Sequence, residues 1–224
     1  MKLWQPKIFK YYKIAGFFSE KINKMHLYKL DLPIFFPKQI HSDHIILLDE
    51  HSSLAPRKGD GVITTRKDIL LGIQTADCVP ILLADKKKRV VGAIHAGWKG
   101  TVKGILSKAL QNIISMGIKP EEILLALGPH IQSSCYEVKE DVLALLKPPY
   151  DKSPFVLSEA GSYYLNLAIL NLFQAKEWNI PEENIWVSEE CTHCIREKYH
   201  SYRRERNYTF TQIAVISLGE EGLI

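Results

Sequence analysis

The chain reads as an α/β fold, a single domain with mixed β-sheets flanked by helices. Three observations predict it. Apolar runs of strand length follow one another closely between residues 43 and 96, the apolar period then lengthens to a helical one, and strand-like and helix-like segments alternate to the end. With 224 residues and 46% hydrophobic content, the chain can bury a large core without disulfide or metal staples. No internal repeat or low-complexity tract divides it, and the proline-containing breaks at 33–37 and 148–154 are short enough to be loops. One domain over residues 1–224 is therefore expected.

In order, HIILL, GVITT after the Gly59-Asp60-Gly61 turn, ILLGIQT, VPILLAD and RVVGAIHA read as strands. The cluster Lys86, Lys87, Lys88 and Arg89 separates two of these runs and reads as a solvated hairpin turn. Residues 101–116 place Ile105, Leu106, Ala109, Leu110, Ile113 and Ile114 on one helical face, and Gly117 ends the helix. ILLALG before Pro129 reads as a strand, Glu137 to Leu146 and Leu165 to Trp178 as helices, and Asn184 to Ser188 and Ile213 to Leu218 as strands.

The net charge of +4 arises from basic residues interspersed with acids, without an aromatic-rich basic block, so no nucleic-acid partner is expected. Four cysteines are too few for the framework of a small secreted domain, and reduced thiols are the default. The N-terminal MKLWQPKIFKYY lacks the apolar stretch of a signal peptide and no later segment reaches the length of a membrane span. A cytoplasmic protein without a membrane partner is the expectation.

Three segments carry metal-capable side chains at strand ends beside glycines or turns: QIHS around His41, QTADCVP around Cys78 and HAGWKG around His95. Cys78 and His95 are 17 residues apart, the length of a hairpin, so pairing across the Lys86–Arg89 turn would set thiol and imidazole side by side. Two chemistries follow. One cysteine and two histidines suit zinc with the fourth position open, the pattern of a catalytic site. Alternatively, His95 activates Cys78 as a nucleophile. Taken singly, each residue has a plainer reading, a small buried thiol or a hydrogen-bonded core imidazole. Cys191-Thr192-His193-Cys194 is a single C-x-x-C with no second pair to complete a four-cysteine zinc site, and Cys135 reads as a buried thiol.

QIHS, GDGVIT, QTADCVPILLAD, IHAGWKGT, ALGPHIQSSCYEV, CTH and SYRRE resemble, in order, the motifs of the bacterial laccase-domain family. Members were once called polyphenol oxidases and are now assigned as purine nucleoside phosphorylases with adenosine deaminase activity. The resemblance runs from Gln39 to about Arg204. It implies that His41, Cys78 and His95 bind the metal, zinc with copper as the alternative, and that the small-molecule partners are a nucleoside and phosphate. Lys99 with Arg203 and Arg204, near a helix start, would then hold the phosphate, and Asp77 would move a proton. Gln39 would touch substrate or a ligand. The plainer roles are an ion pair of the arginines with Glu197 or Glu205, and an Asp77 that orients a ligand imidazole or ties down a turn.

Departures from the family pattern are Lys99 in place of an arginine, Thr209-Phe210-Thr211 in place of Thr-Gly-Arg, and a region before Gln39 that lacks the family's Gly-Gly segment. Eight histidines without a His-x-His pair argue against a multicopper oxidase, and the H-x-E and P-C-x-x-C signature of zinc deaminases is absent. No dinucleotide fingerprint or Walker sequence occurs.

Overall fold

A computed structural model describes residues 2–23, 33–148 and 150–219. The elements in chain order are β1 (Leu3–Trp4), α1 (Lys7–Tyr12), β2 (Ala15–Ser19), β3 (Ile22–Asn23), β4 (Ile34–Phe35), β5 (Ile45–Leu48), β6 (Gly61–Thr64), β7 (Leu70–Thr75), β8 (Val79–Asp85) and β9 (Val91–Ala96). There follow α2 (Trp98–Val102), α3 (Ile105–Ser115), β10 (Ile123–Leu127), β11 (Glu137–Val138), α4 (Glu140–Leu143), β12 (Val156–Glu159) and β13 (Ser162–Leu165). The last are α5 (Leu167–Glu177), β14 (Ile185–Val187), α6 (Tyr202–Glu205) and β15 (Phe210–Ser217).

The central sheet runs β14-β10-β8-β9-β6-β5, antiparallel in the middle and parallel at its two outer pairs. Its residues alternate between two cores. Val79, Ile81 and Leu83 of β8 and Ile123, Leu125 and Leu127 of β10 pack against Ile105, Leu106, Leu110 and Ile113 of α3 and Leu167 and Leu170 of α5. On the other face, Leu82, Ala84, Val91, Ala93, Leu124 and Ala126 meet Phe18, Leu71, Ile73, Ala214 and Ile216 of a second sheet, ordered β1-β2-β15-β7-β4 with β3 beside β15. Burial on both faces is why these strands read as unbroken apolar runs. A small antiparallel sheet, β11-β13-β12, completes the fold, so the mixed-sheet α/β class is what the chain adopts.

Two expected helices change. Residues 101–116 are not one helix, because Gly104 takes φ +78, a left-handed conformation open to glycine, and separates α2 from α3. The span Glu137–Leu146 begins as a strand, since Glu137 and Val138 pair with Tyr164 and Tyr163 of β13, and only Glu140–Leu143 is helical. The sheet β11-β13-β12 and the two-residue strands β1, β3 and β4 lay outside the expectation. Gly117, at φ +81, ends α3 as expected. The Lys86–Arg89 turn connects β8 to β9, its backbone gathered by the Asp85 carboxylate, which accepts from the N–H of Lys87 and Arg89. Among the described residues, no helix is long and apolar enough to cross a membrane.

Candidate metal centre

β7 belongs to one large sheet and β8 to the other, so residues 76–78 cross between the layers. Register across the β8–β9 hairpin sets Val79 opposite Ala96 and Pro80 opposite His95, which brings Cys78 to the end of the strand that carries His95. His41 arrives from the loop after β4, which runs parallel to β7 and leaves the sheet at the same end. The ligand atoms of His41, Cys78 and His95 lie within 4.8 Å of one another, and the two imidazoles meet edge to face at 4.8 Å between centroids. His41 is exposed, Cys78 half-buried and His95 buried. The trio expected from the three motifs is therefore assembled.

Asp60, fully buried at the start of β6, holds this arrangement. Its carboxylate accepts the N–H of His41 at 2.9 Å and of Ser42 at 2.6 Å, the Ser42 hydroxyl at 2.7 Å, and His95 Nδ1 at 2.8 Å. Burial pushes the Asp60 carboxyl up, but the His95 ring and the Ser42 donors hold it well below the usual carboxylate range. An ionised carboxylate only accepts, so Nδ1 carries a proton and Nε2 of His95 is the ring nitrogen left to face another partner. His41 sits at φ +57, and its backbone bond to Asp60 helps hold that left-handed turn.

Two glycines of HAGWKG make room. A Cβ on Gly97 would stand 3.1 Å from Cys78 Sγ and 3.2 Å from His41 Cδ2, and one on Gly100 would stand 2.6 Å from the Ser42 carbonyl oxygen. Without a metal, Cys78 and His95 favour each other's charged forms. Burial pushes the thiol up, yet the His95 and His41 rings bring it down to about 7. Burial pushes His95 down, yet the Cys78 sulfur and Asp60 raise it to about 9.

The trio opens into a cavity of about 610 Å³, within the range of small-molecule sites. Gln39, Asp77, Trp98, Tyr136, Tyr202, Arg203, Arg206 and Tyr208 also line it. Asp77 stands at φ +89, and its carboxylate accepts from Thr192 Oγ1 at 2.7 Å, Ser201 Oγ at 3.0 Å and the Arg203 N–H at 2.7 Å. This is the turn-tying arrangement, anchored on α6 rather than on the neighbouring chain. Gln39 exchanges two 2.8 Å hydrogen bonds with the backbone of Gln74, standing in for a strand partner.

Arg203 donates Nη1 to the Glu137 carbonyl at 2.7 Å and lies 5.0 Å from the Tyr136 ring centroid. Arg204 is spent on the fold, bonding the carbonyls of Thr192 and Tyr199 and pairing with Glu205. Lys99 is not among the residues that line the cavity, although the expected anion site included it. The buried side of α2 carries Gly100 and Thr101, which leaves Lys99 exposed with its amine 5.6 Å from the Trp98 ring.

Sequence reasoning passed over Asp60, which looked like part of a turn, and Tyr202, Arg206 and Tyr208 in and beyond SYRRE. Arg206, at φ +56 beyond α6, lines the cavity, and Tyr202 and Tyr208 stack there at 4.5 Å with an 18° interplanar angle. Their signal was available in SYRRERNY, with two tyrosines and three arginines in eight residues.

The chain is similar to several known proteins. A purine nucleoside phosphorylase of Deinococcus radiodurans is 38% identical over 161 residues, 72% of this chain and 62% of that protein. A second, from Geobacillus stearothermophilus, is 36% identical over 72% of this chain and 61% of its own length, so the chain spans about three-fifths of these two relatives. A protein named adenosine deaminase, from an unknown prokaryotic organism, is 30% identical over 80% of this chain and 74% of its own length. The crystal structure of the Bacillus licheniformis hypothetical protein YfiH matches with a TM-score of 0.78 at 32% identity, covering 84% of this chain and 76% of that one. The model of the family described as multi-copper polyphenol oxidoreductase laccase matches residues 20–219, and the chain belongs to that family.

Proposed function

We propose that the chain is a zinc-dependent purine nucleoside phosphorylase with adenosine deaminase activity. The observation that carries this reading is the convergence of His41, Cys78 and His95 at a cavity walled by tyrosines and arginines. The donor set fits the ion. One sulfur and two imidazole nitrogens lie close together, the His95 tautomer is fixed by Asp60, and the missing Cβ of Gly97 leaves space beside the sulfur. Copper suits the same donors. When bound by His41, Cys78 and His95, the ion would supply Lewis acidity at the cavity.

Phosphorolysis forms a bond from a phosphate oxygen to the ribose anomeric carbon, while the bond from that carbon to the purine nitrogen breaks. The stacked Tyr202 and Tyr208 offer a flat face to a purine. Arg203 and Arg206 bring two positive charges to the cavity and are the phosphate-binding candidates, in place of Lys99. Asp77 acts as a positioning residue, because its bond to the Arg203 N–H joins the residue before Cys78 to α6. Burial keeps Tyr136 protonated, so it offers the cavity an O–H donor. Gln39 holds the His41 loop to β7.

Inosine or adenosine with phosphate is expected to yield free base and ribose 1-phosphate by chromatography, and Cys78→Ala to yield neither above the blank. Product formation by a metal-depleted Cys78→Ala variant contradicts the assignment.

A second reading rests on one observation, the chain of contacts from Asp60 through His95 to Cys78, which has the order of an acid–base–nucleophile triad. In that reading the chain is a metal-free cysteine hydrolase or deamidase, and its activity survives chelation. Copper-dependent oxidation of polyphenols ranks below both, because among the described residues two imidazoles meet at the site.

A further inference from the structure

Outside the cavity, the fold collects the other three cysteines. Cys135 ends a short 3-10 turn, Ser133–Cys135, while Cys191 and Cys194 begin the loop that leads to α6. Their sulfurs all lie within 4.8 Å of one another, and those of Cys135 and Cys194 are 3.3 Å apart, well beyond a disulfide bond of about 2.05 Å. Metal–sulfur bonds of about 2.3 Å in a tetrahedron hold their sulfurs about 3.8 Å apart. The cluster brackets that spacing.

The surroundings suit thiolates. Backbone N–H of Gln132 points at Cys191 Sγ at 3.4 Å. The Arg204 guanidinium, bonded to the carbonyls of Thr192 and His193, brings a positive charge to the same loop. A bridge between Cys191 and His130, with the Thr192 N–H donating to the His130 carbonyl at 3.0 Å, fixes the loop beside the turn that carries Cys135.

We propose that Cys135, Cys191 and Cys194 form a second metal centre, which binds one thiophilic cation, zinc by preference, with its fourth position open to solvent. Three soft sulfur donors select zinc or cuprous copper over hard cations. Among the described residues no fourth histidine, cysteine or carboxylate joins the group, and Cys194 is exposed, so the open position faces water. The ion braces the cavity wall. Cys135 is followed by Tyr136, and Thr192, between the two loop cysteines, donates to Asp77, so the ion ties together two segments that shape the cavity. Binding replaces the three thiol protons with metal–sulfur bonds and requires no oxidant.

The test uses the full chain, stripped by chelation under reducing, oxygen-free conditions. Cobalt(II) added to Cys78→Ala, which lacks the sulfur of the first site, is expected to bind at one equivalent with a thiolate-to-cobalt charge-transfer band, and Cys194→Ser in that background to abolish the band. In the unaltered chain, zinc is expected to slow iodoacetamide labelling of Cys135, Cys191 and Cys194, located by peptide mapping, by at least about tenfold. This second measurement decides if the variants fail to fold. No cobalt band in folded Cys78→Ala overturns the proposal, as does labelling of Cys194 that zinc leaves unchanged. A Cys135–Cys194 disulfide in chain that never contacted oxygen overturns it in favour of a redox pair.

Discussion

Asp60 bonds the backbone of Ile40, His41 and Ser42 together with the ring of His95, so one buried anion orients two of the three proposed ligands. Replacing it by asparagine keeps the shape but removes the charge that fixes the His95 proton. Asp60→Asn is expected to weaken zinc binding by ~10–100-fold, the usual effect of removing such a support, in competition with a chromophoric chelator. His41, Cys78 and His95 were legible in the sequence because each stands at a strand end beside glycines or a turn, and the hairpin spacing joins two of them. Asp60 was not, because nothing local distinguishes an acid that caps a turn from one that reaches a histidine 35 positions away. Arg206 and Tyr208 escaped notice for a related reason, since their place at the cavity depends on where α6 docks, and that is set by the long-range bonds from Ser201 and Arg203 to Asp77.

The β8–β9 hairpin positions Cys78 against His95, and its far end is clasped by Arg89, which pairs with both Asp85 and Glu122, and by Lys87, which pairs with Glu122. Lys87 and Arg89 hold the Glu122 carboxyl down to about 2. A depressed carboxylate stabilises the fold above its unfolded value of about 4.3, and that contribution fades as pH falls through about 2. A carbon-detected NMR titration is expected to place the Glu122 midpoint near 2, and one near 4 contradicts the clasp. This hairpin was readable from its two apolar runs and charged turn. The split between α2 and α3 was not, because the apolar stripe continues across Gly104 and only the backbone angle there reveals the break. Strands of two residues, such as β1, β3 and β4, are too short to show a period.

The central sheet is buried between α3 and α5 on one side and the second sheet on the other, and Cys78 and His95 stand at the ends of its strands β8 and β9. Leu125 lies at the middle of β10, fully buried against the helical layer. Leu125→Ala is expected to cost about 2–5 kcal/mol in urea unfolding, with zinc affinity little changed once the chain is folded. The class of fold was legible because doubly buried strands announce themselves as apolar runs, whereas the pairing of β7 with β15 and the crossing at 76–78 are long-range facts no window of sequence contains. On the proposed reading, this crossing builds the metal centre of a nucleoside phosphorylase. Phosphorolysis of inosine, followed in one sample before chelation, after prolonged chelation and after zinc is returned, tests it most directly. Loss of turnover on chelation and its recovery with zinc is the predicted result, and full turnover in metal-free protein would contradict it.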